Sequence, residues 1–322
     1  MNVHFVKGHC GWDTVTLLLA GEIPPQHELE AALKIIDIPV SGGLEVGFMG
    51  RGEREGEIRL RMAESTTRNW IAMCGGMSQV IGKALVETGF GNHFNLNLSG
   101  PKLTVKLLTD SGVIPIEIDI EHAKARQTTT VMDAYAAFSY KCGIEPLVLD
   151  GVRGLQVDRF IIVDIAALED RHPGVDFTRR DPGPHLEIVN ALLRTFRRHC
   201  GSATGAVGML YDDRPEGPGR FRIYPRFFSA DLAAAKIPYE FQCGTGTVAV
   251  GVALAHHNQL PFKEQQGRIV FEWGSQRATP DPYGIRTSQL NLVLQDGLVS
   301  KASFTHSVVE LLAEGTLHLP QY

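Results

Sequence analysis

Two cysteines stand in the same local setting. Cys74 and Cys243 each end a short apolar stretch, are followed by glycine, and precede a segment of helical periodicity. Glycine lets the backbone turn tightly and lets a ligand approach the amides closely. The first N–H groups of a helix have no intrahelical partner and carry the positive end of its dipole. A helix start is therefore an anion site that suits a carboxylate. The same field lowers the pKa of a neighbouring thiol from about 8.5 toward neutrality. Each turn thus offers a thiol able to become a base beside amides able to hold a carboxylate. These amides belong to Gly75 and Gly76 in the first turn, and to Gly244 and Thr245 in the second.

Two such thiols on opposite faces of one carbon define a two-base reaction. One thiolate takes a proton while the opposing thiol delivers one from the other side. The expected catalytic pair is Cys74 with Cys243. A carboxylate held between two helix starts would carry the negative charge that grows as the α-proton leaves. This chemistry needs no pyridoxal, and no lysine stands in a context that demands one, so no cofactor is expected. The chain has five cysteines, an odd number, with no CxxC and no zinc-finger spacing. Cys142 and Cys200 lie in no repeated motif and read as small buried hydrophobes. Cys10, near the N-terminal turn, reads as a core or incidental thiol.

The elements that must position the pair are mostly strands. Period-two alternation predicts strands over Glu57–Met62 and Ile114–Ile120, and also over Leu103–Leu108, Phe160–Ile165, Arg268–Trp273 and Gln289–Leu294. Helical periodicity occurs over Pro25–Ile36, which has proline in its first turn, over Leu186–Arg198, and after Cys74 and Cys243. Many strands and few helices indicate an α+β protein. The chain also resembles itself. Val46-Gly47-Phe48-Met49 matches Val207-Gly208-Met209-Leu210, and Gly56-Glu57-Ile58-Arg59 matches Gly219-Arg220-Phe221-Arg222. Ala72-Met73-Cys74-Gly75-Gly76 then pairs with Phe241-Gln242-Cys243-Gly244-Thr245. Three matches in one order imply two homologous half-domains, the first over 1–125 and the second over 126–301. Packed about a pseudo-two-fold axis, the halves would bring the two Cys-Gly turns face to face, with the cleft between them.

At 322 residues, with 43% hydrophobic and 21% charged residues, the chain is long and apolar enough for a sizeable core. A net charge of −5 argues against a broad electrostatic grip on nucleic acid or anionic lipid. No apolar run approaches the about 18 residues of a membrane span, and residues 1–13 lack the pattern of a secretory signal. The expectation is a soluble cytoplasmic protein acting on a small molecule with a carboxylate, without nucleic-acid or membrane partners; a homodimer is left open.

Gln242-Cys243-Gly244-Thr245-Gly246-Thr247 resembles the second-cysteine motif of diaminopimelate epimerases and proline racemases, and Met73-Cys74-Gly75 resembles their first. Phe5-Val6-Lys7-Gly8-His9-Cys10-Gly11-Trp12-Asp13 looks like a shortened epimerase opening, and the whole looks closest to the histidine-racemase branch. The resemblance implies an epimerase-like fold, in which each half wraps a barrel-like sheet around a central helix. It also implies that the final strand, within 302–322, returns to the first domain. Three departures bear on substrate. Gly76 stands where Asn or His usually follows the first Cys-Gly, and Trp12 stands where a Gly-Asn-Asp turn would supply Asn. Ala234 and Ala235 replace a Glu-Arg pair, leaving Glu240 as the nearest acidic substitute. Diaminopimelate is therefore not the expected substrate.

The expected function is a cofactor-independent amino-acid racemase or epimerase, with Asp13 and Glu240 orienting the substrate or tuning a thiol. Cys74-Gly75-Gly76-Met77 also resembles the first motif of methylaconitate-type isomerases, so an allylic isomerase of a small di- or tricarboxylate is the alternative. A non-catalytic carboxylate-binding protein is a further one. His256-His257 point apart on a helix and read as solvated rather than as metal ligands, and no metal site is expected. The loop Arg179–His185 reads as surface, Asp158 and Arg159 fall near a substrate-contacting stretch of the family, and Trp273 follows a strand toward the cleft.

Overall fold

The computed structural model describes residues 1–11, 13–38, 43–65, 68–133, 144–157, 160–178, 185–199, 207–212, 220–227, 244–256, 266–273, 286–296, 298–306 and 308–320. Trp12, Cys142, Cys200, Glu240 and Cys243 lie outside these residues, as do Asp158, Arg159, residues 179–184 and His257. The chain divides into two compact units, Met1–Met132 with Ser303–Tyr322, and Asp133–Ala302.

In unit 1, β1 (Asn2–Cys10) lies antiparallel to β2 (Asp13–Leu19) on one side and to the final strand β17 (Val309–His318) on the other. The chain crosses through α1 (Glu28–Ile36) to β3 (Glu45–Arg51), parallel to β2, and returns antiparallel as β4 (Glu57–Glu64). The short β5 (Asn69–Ile71) leads into α2 (Gly75–Glu87). After the single turn α3 (Phe90–His93), β6 (Lys102–Thr109) runs parallel to β4, followed by antiparallel β7 (Gly112–Glu121) and β8 (Lys124–Asp133). Parallel neighbours require a crossover, which α1 and α2 supply.

Unit 2 repeats this pairing order. The strands β9 (Ile144–Leu149), β10 (Val152–Val157) and β11 (Phe160–Asp164) are successively antiparallel. The chain crosses through α4 (Ile165–Arg171) and α5 (Leu186–His199) to β12 (Val207–Asp212), parallel to β11, and turns back as β13 (Arg220–Phe227). It crosses again through α6 (Gly244–His256) to β14 (Gln266–Trp273), parallel to β13, then to antiparallel β15 (Arg286–Gln295). The strand β16 (Leu298–His306) leads to β17. The matched sequence pairs therefore occupy equivalent elements: Val46 and Val207 on β3 and β12, Arg59 and Arg222 on β4 and β13.

The central helices explain the curl of each sheet. Residues 75–82 of α2, with Ala84 and Leu85, are buried on every face. Residues 246–254 of α6 are buried likewise. A helix apolar all round belongs inside a core. The side chains of Met77, Val80, Ile81, Ala84 and Leu85 pack with Val6, Val15, Leu17, Leu60, Val105 and Ile116 of the surrounding strands. A second layer, built on Ala31, Ala32 and Ile35 of α1, covers the outer face of the same sheet through Leu18, Val46 and Phe48. Unit 2 has its own core in Ile161, Val163, Leu168, Phe177 and Leu210. One predicted strand is shorter than expected: β11 stops at Asp164, because Asp164 Oδ1 accepts a hydrogen bond from Ala166 N at 2.9 Å and starts α4 at Ile165. No helix among the described residues is long and apolar enough to cross a membrane.

Glycine lets α2 lie close to its sheet. A Cβ at Gly82 would fall 2.4 Å from Thr128 Oγ1 and 2.5 Å from its Cγ2. Gly82→Ala is expected to destabilise the protein by about 1–3 kcal/mol, the usual cost of overpacking. Gly89 has open space within 4 Å and a φ of −66°, so Gly89→Ala should change stability by no more than about 1 kcal/mol, in the favourable direction. Urea unfolding of the two variants checks both; equal midpoints would contradict the packing argument.

Candidate active site

Cys74 is the N-cap of α2. Its backbone is extended, with φ −129° and ψ 122°, and its Sγ accepts a hydrogen bond from Met77 N at 3.1 Å. The sulfur thus takes the place that Ser or Asp usually fills at a helix start. Two buried polar side chains fix the first turn behind it. Ser78 Oγ donates to the Gly75 carbonyl at 2.7 Å and lies 2.6 Å from Thr130 Oγ1. Gln79 Nε2 donates to Thr130 Oγ1 at 2.6 Å and to the Phe304 carbonyl at 3.3 Å. Both side chains are fully buried, so these bonds hold the turn to β8 and to the strand that carries Phe304.

The β1/β2 hairpin brings Asp13 to the thiol. Cys10 and Asp13 are register partners across a two-residue connection, where Gly11 adopts a φ of +54°. The Cys74 thiol donates to Asp13 Oδ2 at 3.5 Å. Gly76 makes room for this carboxyl: a Cβ there would stand 2.5 Å from Asp13 Oδ2. The unusual glycine after Cys-Gly and the acidic residue ending the N-terminal turn are therefore one feature, with the carboxyl occupying the volume a side chain at 76 would need.

A second acid completes the group of three. Glu45 opens β3 beside Val15 on one side and Glu64 on the other. It is only 8% exposed. One ligand-type atom each from Asp13, Glu45 and Cys74 lie within 4.8 Å of one another. Glu45 Oε2 and Asp13 Oδ1 are both buried and have no hydrogen-bond partner.

The electrostatics reverse one sequence expectation. Burial raises the Asp13 pKa to about 7, with the nearby charge of Glu64 adding to the rise and the Cys74 hydrogen bond opposing it. Burial also pushes Glu45 well above the usual carboxylate range, reinforced by Asp13 and Glu64. Cys74 is pushed well up rather than toward neutrality, by burial first and then by the charges of Glu45 and Asp13; the Met77 N–H opposes this only in part. A helix-start field favours a thiolate, but burial beside two acids outweighs it. In this state Cys74 is a protonated thiol, which is an acid rather than a base.

Of the residues singled out in the sequence, the structure brings Cys74, Gly75, Gly76 and Asp13 together. Gly244 and Thr245 form the first turn of α6 and are partly exposed, whereas Cys243 and Glu240 are outside the described residues. Cys10 is fully buried in the unit 1 core, and its thiol forms no disulfide. His256 ends α6 and is exposed. Sequence reasoning missed Glu45, because an acid at the start of an apolar strand resembles an ordinary solvated strand end. It also missed the Ser78–Gln79–Thr130 contacts, although two polar residues inside an otherwise apolar helix were a readable signal.

No family model matches the sequence, and no curated protein matches it. Solved structures do match it in fold. A hydroxyproline epimerase from Agrobacterium vitis, with bound trans-4-OH-L-proline, superposes with a TM-score of 0.64 at 13% identity, covering 98% of this chain and 92% of that one. A probable proline racemase from Agrobacterium radiobacter, with bound carbonate, gives 0.63 at 13% identity, over 99% and 93%. A methylitaconate-Δ-isomerase gives 0.62 at 17% identity, over 98% and 95%. The chain therefore has the proline racemase-like α+β fold of two half-domains.

Proposed function

We propose that this protein is a cofactor-independent isomerase that racemises or epimerises an amino acid at its α-carbon. The observation that carries this reading is the helix-capping Cys74 thiol, held between Met77 N–H and Asp13 Oδ2, at a Cys-Gly motif repeated before α6. Cys74, protonated at rest, serves as the acid that returns a proton to the carbanion. Cys243, at the matching point of the second motif, serves as the base, and the roles exchange for the other enantiomer. The amides of Gly75, Gly76, Gly244 and Thr245 supply donors to the substrate carboxylate, and Glu240 orients the substrate. Asp13, with a pKa of about 7, can re-protonate Cys74 after each transfer.

The named neighbours include amino-acid epimerases and an isomerase of an unsaturated dicarboxylate, so both chemistries occur on this fold. The acids around Cys74 favour the first. An ammonium group would give donors to the unpartnered oxygens of Asp13 and Glu45, whereas a second carboxylate would add negative charge beside acids whose ionisation burial already opposes. The substrate is expected to reach the protein as a free amino acid.

The test is proton NMR of an L-amino-acid panel incubated with reduced protein in D2O. Loss of one α-proton signal, absent with Cys243→Ala, is the expected result and names the substrate. No exchange from any amino acid, together with exchange in an unsaturated di- or tricarboxylate, would replace this reading with the allylic isomerase. No exchange in either panel would leave a carboxylate-binding protein.

A further inference from the structure

We propose that Asp13, Glu45 and Cys74 form a binding site for a divalent cation of the zinc type. The donors come from three separate elements: the start of β2, the start of β3 and the N-cap of α2. Their ligand atoms already lie within 4.8 Å of one another, and Cys74 Sγ stands 3.5 Å from Asp13 Oδ2. Around a tetrahedral zinc, with bonds of about 2.0–2.3 Å, donor atoms sit about 3.5 Å apart. Modest side-chain adjustment would therefore close the site.

A second observation points to a ligand. Glu45 is 92% buried by its 8% exposure, and its Oε2 has no hydrogen-bond partner; Asp13 Oδ1 is in the same condition. Buried acceptors without donors are costly unless something positive meets them. A cation held by this cluster would give both carboxyls a positive partner. The donor set selects its type. One thiolate and two carboxylates suit a borderline cation such as Zn2+ or Co2+, whereas Mg2+ and Ca2+ demand more oxygen donors and no sulfur. Three protein ligands leave the fourth position to water.

Binding replaces the Cys74 S–H bond with a sulfur–metal bond and also displaces the protons that burial keeps on the two carboxyls; all of these protons pass to the buffer. The metal then holds the sulfur electron pair that proton transfer would use. A site of this kind blocks the thiol rather than serving it, and it stands whether or not the protein is a racemase. Sequence spacing gives no sign of it, since positions 13, 45 and 74 follow no ligand pattern.

The experiment titrates the reduced full-length protein with Co2+ and records the near-ultraviolet sulfur-to-cobalt charge-transfer band. The band is expected to saturate at one Co2+ per chain in wild type, to reverse on adding excess Zn2+, and to vanish in Cys74→Ser. Glu45→Gln and Asp13→Asn should each weaken binding at least about tenfold, as losing even an outer-shell partner can, with Cys142→Ala as the unchanged control. A measurement on wild type alone accompanies this, in case a variant fails to fold: Zn2+ should slow iodoacetamide alkylation of the Cys74 peptide. A band that persists in Cys74→Ser would overturn the proposal. So would affinity unchanged by Glu45→Gln, or unprotected Cys74 in wild type.

Discussion

Replacing Cys74 with alanine is expected to lower turnover by at least about a thousandfold, within the range for loss of a positioned acid or base. The thiol is the only side-chain sulfur among the described residues that both caps a helix and touches a carboxyl. In the proposed mechanism its removal takes away one of the two groups that exchange the proton. Cys243→Ala should have an effect of similar size. The two losses are expected not to be additive, because the proposed two-base reaction needs both groups. The fold should tolerate the change at 74: a lost sulfur cap costs about 1 kcal/mol, and Ser78, Gln79 and Thr130 still fix the turn. Circular dichroism and urea unfolding separate the two effects. Activity within tenfold of wild type in either variant would remove the thiol pair from the mechanism. So would wild-type exchange of the α-proton by Cys74→Ala.

The second large effect is on stability against pH. Asp13 has a folded-state pKa of about 7, against an ordinary value of 3.8, and burial is the main cause. The folded protein therefore holds this proton more tightly than the unfolded chain does. Between those two values stability must fall as pH rises; it is unaffected by this group below about 4 and fully reduced above about 7. The loss is at most about 4 kcal/mol, from roughly three pH units at 1.36 kcal/mol each. Glu45 is raised by burial and by Asp13, so it adds loss in the same direction. Urea unfolding at pH 5 and pH 8 should show wild type less stable at the higher pH, with the gap narrowed in Asp13→Asn. Glu45→Gln should narrow it also. An unchanged gap in both variants would mean that these acids are solvated in the folded protein.

Much of the fold was legible because strand alternation and helix starts are local signals. Ile114 to Ile120 alternates cleanly because β7 presents one face to the core, where Ile114, Ile116 and Ile118 are buried. The Cys-Gly turn at 74 announced α2 through the glycine needed behind a capping side chain. The internal repeat was legible for a different reason: Val46-Gly47 and Val207-Gly208 are alike in sequence and hold equivalent places in the two pairing orders, on β3 and β12. At Gly47 a Cβ would fall 2.6 Å from Met77 Sδ, so a larger residue there would push the Met77 side chain aside.

The electrostatic character of the site was not legible, because it depends on partners distant in sequence. Residue 45 meets residue 74 only after β2 and β3 pair in parallel, with Val15 opposite Glu45. Without that pairing, a cysteine at a helix start suggests an activated thiolate. With it, burial and two acids give a thiol that keeps its proton. The helix predicted the location of the sulfur, and the sheet decided its protonation.

The partnership of β1 with β17 sets an order on synthesis. Asn2 pairs with His318, and the Met1 amino group donates to the Leu319 carbonyl at 2.6 Å. During translation β2 can pair with β1 at once, but every strand of unit 2 emerges before β17, the second partner of β1, exists. The core of unit 2 can close while the nascent N-terminal strand still presents an open edge to solvent or to a chaperone. Unit 1 is completed only after Val309–His318 has been made, so the half that holds Cys74 acquires its final wall after all of unit 2 has been synthesised.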